Sequence, residues 1–183
     1  YMLTDQDLII KTLSFAAVAH GDQRLPGSKT PYLYHLTCVA FEITSAIFAG
    51  DIEDPEFAIQ CSLLHDTIED TSVTFDDLKN TFNEKIALGV LALSKNKNLP
   101  KGLQLKDSVD RILKMPRDVA AVKLADRITN LAPPPSHWEK EKIINYREES
   151  LFILEKLGFA SPFLARRLEE KIKSYGKGSP PEH

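Results

Sequence analysis

The sequence predicts an all-α protein, and three observations carry that prediction. Nearly every segment opens on a helix-capping residue or a helix-starting proline and closes on glycine, proline or asparagine-rich punctuation. Within the segments, apolar residues recur at helical spacing, and no stretch of useful length alternates apolar and polar residues as a half-buried strand does. No internal repeat or linker divides the chain, whose 183 residues fit one domain with a substantial core. The reading is a compact bundle of roughly eight to ten helices over residues 1–176, with residues 177–183 as a frayed tail.

Each element has its own signal. Thr4 with Asp7 three residues later resembles a capping box and opens an amphipathic helix through Ala19. Glycine and proline then mark a loop from Gly21 to Thr30. A second helix is expected from Tyr32 to Ala49. Asp54-Pro55 sets an N-cap before a proline at the first helical position and starts a single helix FAIQCSLLHDTIED. Thr74 and Asn83 cap DDLKNTF and EKIALGVLALS. Lys95 to Gly102, rich in lysine and asparagine, reads as a mobile loop before QLKDSVDRILK. Pro116 opens RDVAAVKLADRITNLA, which the prolines at 133–135 stop because proline cannot continue the hydrogen-bond ladder. Ser136 with Glu139 caps a helix ending at Gly158, and Ser161-Pro162 starts a last one reaching about Tyr175.

Composition excludes several classes. The 43% apolar and 27% charged residues are ordinary for a soluble globular protein, and no apolar run approaches the roughly 20 residues of a membrane span. The opening YMLTDQDL shows no basic stretch followed by an apolar one, so the expected address is cytoplasmic. A net charge of -3 argues against nucleic acid as a partner. Two cysteines, Cys38 and Cys61, sit in apolar helical stretches and read as reduced core thiols.

Three segments carry chemistry. In LLHDTIED, His65 and Asp66 follow an apolar run, and a carboxylate buried there needs a cation, a metal or a hydrogen-bond network. At helical spacing Glu69 and Asp70 share a face with that pair. In VKLADRITNL, Asp126 interrupts an apolar helix, with Lys123 three residues before and Asn130 four after on a common face. That helix taken alone leaves open a buried Asp126 paired with Lys123 or Arg127. His35, beside Leu36 and Val39, taken alone is more often a satisfied core histidine than a ligand.

Taken together, two imidazoles and two carboxylates from three helices furnish four ligands for a divalent metal. Such a mixed nitrogen and oxygen set with open positions suits manganese, iron or zinc and leaves room for water and phosphate. Glu69 and Asp70 are then placed to orient or deprotonate an attacking water. Lys95, Lys97 and Lys101 offer positive charge, or simply an exposed solvated loop.

The order His35, then His65-Asp66, then Asp126 resembles the signature of the HD phosphohydrolase superfamily. More narrowly, HGDQRLPGSKTPYLYH, SLLHDTIEDTSVTFDDL and KLADRITNL resemble the hydrolase domain of the RelA/SpoT-type alarmone enzymes, particularly the small stand-alone hydrolases of the metazoan SpoT-homologue type. The similarity runs from about Phe15 to Leu157. It implies removal of pyrophosphate from the 3′ position of guanosine tetra- and pentaphosphate, with manganese as cofactor and iron, zinc or magnesium as alternatives. His35, His65, Asp66 and Asp126 would be the metal ligands and Glu69-Asp70 the acidic pair acting on water. Arg24 and Asn130 would contact the nucleotide, with Lys123, Trp138 and Tyr146 as further substrate contacts. Leu25 departs from the Arg-Lys pair of many family members, which keeps other substrates open: an adenosine alarmone, NADPH or a nucleoside monophosphate. A non-catalytic nucleotide sensor is the reading of a different class. Nothing in the sequence sets the oligomeric state.

Overall fold

The structure, a computed structural model, describes residues 5–134 and 137–176. Ten α-helices and one 3-10 turn follow in order among the described residues. They are α1 (Gln6–His20), α2 (Leu33–Phe48), α3 (Pro55–Leu64), α4 (Thr67–Asp70), α5 (Phe75–Thr81), α6 (Glu84–Leu93), α7 (Lys101–Ile112), α8 (Arg117–Asn130), α9 (Lys140–Leu157), the turn Gly158–Ala160, and α10 (Pro162–Ser174). The described residues contain no strand; an isolated bridge joins Arg24 to Pro31. None of these helices is long and apolar enough to cross a membrane.

Most ends lie where the capping residues put them. The Asp54 carboxylate accepts from the Phe57 N–H, with Pro55 next in line. Thr74 and Asp77 form a reciprocal capping box, Asn83 accepts from Ile86, and Ser161 accepts from Leu164. At α1 the capping oxygen belongs to Asp5, which takes the N–H groups of Asp7 and Leu8; Thr4 lies outside the described residues. Ser136, expected to cap α9, and the tail 177–183 lie outside them as well. Gly21, at φ +46, ends α1 in a left-handed conformation that a side chain rarely adopts.

The core is organised around α8. Every residue from Asp118 to Ile128 is buried, so this helix has no solvent face and packs against α2, α3, α9 and α10. Leu124, fully buried, contributes about 1.5–3 kcal/mol by the usual transfer scale. A helix surrounded on all sides can deliver a charge only into a site or onto a partner, and α8 carries Lys123, Asp126 and Arg127 in its buried stretch. Helix α2 packs beside it and is tied to α10 by the ion pair of Glu42 with Arg167. Cys38 and Cys61 are free thiols in α2 and α3.

Two expectations are corrected. The stretch FAIQCSLLHDTIED is two helices: α3 stops at Leu64, and the one-turn α4 begins at Thr67. The break follows from side chains capturing the last carbonyls of α3, since Thr67 Oγ1 donates to Leu64 O at 2.7 Å and the His65 ring bonds Ser62 O at 2.8 Å. Lys101, expected in the loop, opens α7, whose N-cap is Pro100.

Candidate metal centre

Three elements converge beneath an open cleft. Helix α2 supplies His35, the α3–α4 break supplies His65 and Asp66, and α8 supplies Asp126. His35 Nε2 lies 3.3 Å from His65 Nε2 and 3.4 Å from Asp126 Oδ1. His65 Nε2 lies 2.9 Å from Asp66 Oδ2 and 3.6 Å from Asp126 Oδ1, while Asp66 Oδ2 is 3.6 Å from His35 Nε2. Bonds of about 2.0–2.2 Å to one ion place its ligand atoms about 2.8–3.6 Å apart, which is the spacing seen here. His35, His65 and Asp126 form a buried triad able to hold a divalent metal. Asp66 lies beside this triad through its contacts to the two histidines.

The groups behind these atoms favour that use. A carbonyl can only accept, so the bond to Ser62 O fixes the His65 proton on Nδ1 and leaves the Nε2 lone pair facing the centre. Asp126 is held from both sides: Asn130 Nδ2 donates to Oδ1 at 2.5 Å and Lys123 Nζ to Oδ2 at 2.9 Å. Tyr32 donates its phenol proton to Asp66 Oδ2 at 2.6 Å, and its ring stacks on His20 with centroids 4.8 Å apart. Burial and then the Asp66 charge raise the Tyr32 pKa far above its usual value, so it stays a donor.

Charge is concentrated and compensated. Burial works against ionisation of Asp126, but the Lys123 ammonium and the two imidazoles outweigh it and hold its carboxyl well below the usual range. Asp66 behaves alike: burial opposes its charge, and His65 and His35 overcome that opposition. For His65 burial disfavours the cation, yet Asp66 and Asp126 hold its pKa well above the usual value when no metal ion competes.

Above this centre lies a cleft of about 550 Å³, lined by His35, Tyr32, Arg24, Asp70, Lys97 and Asn130 among others. Its size suits a small organic ligand. The structure brings Arg24, Glu69, Asp70 and Asn130 to one opening. It treats three other expected substrate contacts differently. Lys123 is buried with its ammonium on Asp126, away from the opening. Tyr146 turns inward beneath the Arg127 guanidinium, 4.2 Å from its ring centre, and Trp138 packs edge-on against Tyr146. Neither aromatic residue lines the cleft. Glu69 and Asp70 do not share one continuous helical face with His65, because α4 starts anew after the break.

Sequence reasoning missed Tyr32, His20 and Gln23. His20 is buried and bonds Gln23 Oε1 through Nδ1 at 2.7 Å, so it braces Tyr32 from behind. The available signal was Tyr32 three residues before His35, a helical neighbour spacing.

Fold and ligand geometry together define the HD domain, and the HD-domain family model matches residues 12–160, so the chain belongs to that family. Within it, the chain is 30% identical to the guanosine-3′,5′-bis(diphosphate) 3′-pyrophosphohydrolase MESH1 of Danio rerio, over 92% of this chain and 94% of that one. The human protein of the same description is 29% identical over 90% of both chains. A GTP pyrophosphokinase of Myxococcus xanthus is 33% identical over 84% of this chain, a stretch that is 20% of that longer enzyme. Among solved structures, one described as a metazoan ortholog of SpoT that hydrolyzes ppGpp superimposes with a TM-score of 0.82 over 95% of this chain and 98% of its own, at 24% identity.

Proposed function

We propose that this chain is a metal-dependent phosphohydrolase that removes the 3′-pyrophosphate of guanosine tetra- or pentaphosphate, giving GDP or GTP and pyrophosphate. The observation that carries the reading is the buried triad His35, His65 and Asp126, with Asp66 Oδ2 within 3.6 Å of both histidine Nε2 atoms, beneath a cleft lined by Arg24, Lys97 and Asn130. The pyrophosphohydrolase relatives, which match this chain nearly end to end, support the same substrate.

His35, His65, Asp66 and Asp126 hold the ion, and manganese is the metal we assign. When bound, it supplies positive charge to the phosphate and makes water more acidic. The chain's own residues do the rest. Tyr32 and the Ser62 carbonyl orient Asp66 and His65, while Lys123 and Asn130 hold Asp126. Arg24 and Lys97 meet the phosphates or the base, and Leu25 with Pro26 forms an apolar wall of the cleft. The acidic pair Glu69-Asp70, at the same opening, supplies the carboxylate that manages the attacking water.

The test is a substrate panel. Manganese-loaded wild type and Asp66→Ala are incubated with guanosine tetraphosphate, its adenosine counterpart, NADPH and a nucleoside monophosphate, and the products are separated by chromatography. Pyrophosphate and GDP from the wild type alone support the assignment. Release of orthophosphate, or preference for another member of the panel, refutes it.

A further inference from the structure

Both oxygens of Glu69 are committed to one residue. Oε2 accepts from the backbone N–H of Lys95 at 2.8 Å and Oε1 from its ammonium at 3.2 Å, while the ammonium of Lys97 donates to the Glu69 carbonyl. Asp70 is held far more loosely. Among the described residues its ionic partner is Lys97 Nζ, at 3.6 Å, and its side chain is 33% exposed against 13% for Glu69.

The grip on Glu69 is built from a distance. Lys95 lies 26 residues from Glu69 in sequence and just past the end of α6, so the path by which the chain leaves α6 decides whether it meets Glu69. Helix α7 fixes that path. Arg111 donates to the carbonyls of Leu91, of Ala92 at 3.2 Å and of Ser94 at 2.7 Å, and Ser108 Oγ donates to Ala92 O at 2.9 Å. Asp107 in turn holds the Arg111 Nε at 2.9 Å. These carbonyls have no partner within α6, so the guanidinium both satisfies them and sets the direction of the segment 94–97.

We propose that the acidic pair is divided: Glu69 is a positioning residue that, with Arg111, fixes the segment 94–97 beside the cleft, and Asp70 alone exchanges the proton of the attacking water. The proposal rests on the phosphohydrolase reading above. In the reaction, a proton passes from water to a carboxylate oxygen of Asp70 as the water oxygen bonds to the phosphorus attached at the 3′ position. The bond from that phosphorus to the ribose oxygen breaks with its electron pair on the oxygen, which leaves as a hydroxyl after taking a proton back from Asp70. Burial, then the charges of Asp66 and Glu69, raise the Asp70 pKa above the ordinary carboxylate value, which suits a group that must gain a proton.

The experiment has two parts. In the first, hydrogen exchange at the Lys95 amide is followed in wild type, Glu69→Ala and Arg111→Ala, with thermal unfolding and metal content confirming the fold. Loss of protection at Lys95 in both variants is expected; unchanged protection in either overturns the strut, whatever the substrate proves to be. In the second, kinetics on guanosine tetraphosphate with manganese are measured for Glu69→Gln, Asp70→Asn, Arg111→Ala and the double variant of Glu69→Gln with Arg111→Ala. Asp70→Asn should lower kcat by about 100-fold or more with little change in KM, and Glu69→Gln, which still accepts from Lys95, by less than about 10-fold. The double variant should lose no more than the worse single one, because both act through one segment. Equal collapse of Glu69→Gln and Asp70→Asn, or additive losses, overturns the division. Absence of wild-type turnover instead refutes the phosphohydrolase assignment, and the exchange measurement still decides the strut.

Discussion

Replacing Lys123 by methionine separates two roles for this residue. Lys123 and Asp126 are 7% and 6% exposed, and the ammonium sits 2.9 Å from Asp126 Oδ2. Methionine keeps the length of the side chain and removes the charge, so the metal-free variant is left with a buried, under-compensated carboxylate. Breaking one side of a buried pair costs about 3–5 kcal/mol. For a chain of this size each kcal/mol moves Tm by about 2–4 °C, so the metal-free protein should melt about 6–20 °C lower. A divalent ion restores positive charge beside Asp126, so the metal-loaded variant should lose less, and the rise in Tm on adding manganese should exceed that of wild type. The assay is thermal unfolding of chelator-treated and manganese-loaded protein, wild type and Lys123→Met side by side. If Lys123 were a substrate contact, the variant would raise KM and leave metal-free stability alone. An unchanged Tm without metal, or equal drops with and without it, refutes the reasoning.

Three further outcomes are expected. Tyr32→Phe removes the donor 2.6 Å from Asp66 Oδ2 and should weaken manganese binding about 10- to 100-fold by calorimetry; unchanged affinity would show that the phenol does not orient Asp66. Metal binding should strengthen with pH. Without metal His65 titrates well above 6.5, because Asp66 and Asp126 outweigh burial, so its contribution to metal-free stability is complete below that value and lost as pH rises through the raised one. The metal needs the neutral ring, so apparent affinity should climb by up to about 10-fold per pH unit while His65 is protonated, and a flat profile between about pH 6 and 8 contradicts the ligand assignment. Gly89→Ala would place a methyl group 2.9 Å from Cys61 Sγ and 3.2 Å from the Phe57 ring, at the packing of α6 on α3, and should cost about 1–3 kcal/mol in chemical denaturation; a neutral result would mean this contact yields easily.

The helix ends were legible because their causes are local. Asp54-Pro55, Thr74, Asn83 and Ser161-Pro162 cap the N–H groups within three residues of themselves, and the side chains needed are visible in the sequence. The convergence of His35, His65 and Asp126 was legible for a related reason: Asp126 and His65 interrupt apolar runs, and a buried charge announces a partner. What the sequence hid depends on distant or competing contacts. The break after Leu64 arises from His65 and Thr67 bonding carbonyls of the preceding turn, though the same residues also fit a continuous helix. Glu69 is aimed by Lys95, and Tyr146 is turned inward by Arg127 from another helix. Helical spacing alone shows which face a residue occupies, not which neighbour claims it.

The most direct test of the central claim is hydrolysis of guanosine tetraphosphate by the manganese-loaded protein in water enriched in oxygen-18, with both products weighed by mass spectrometry. Attack of water on the 3′-attached phosphorus predicts one heavy oxygen in the pyrophosphate and none in the GDP. Heavy oxygen at the ribose of GDP, or orthophosphate as the labelled product, would contradict it.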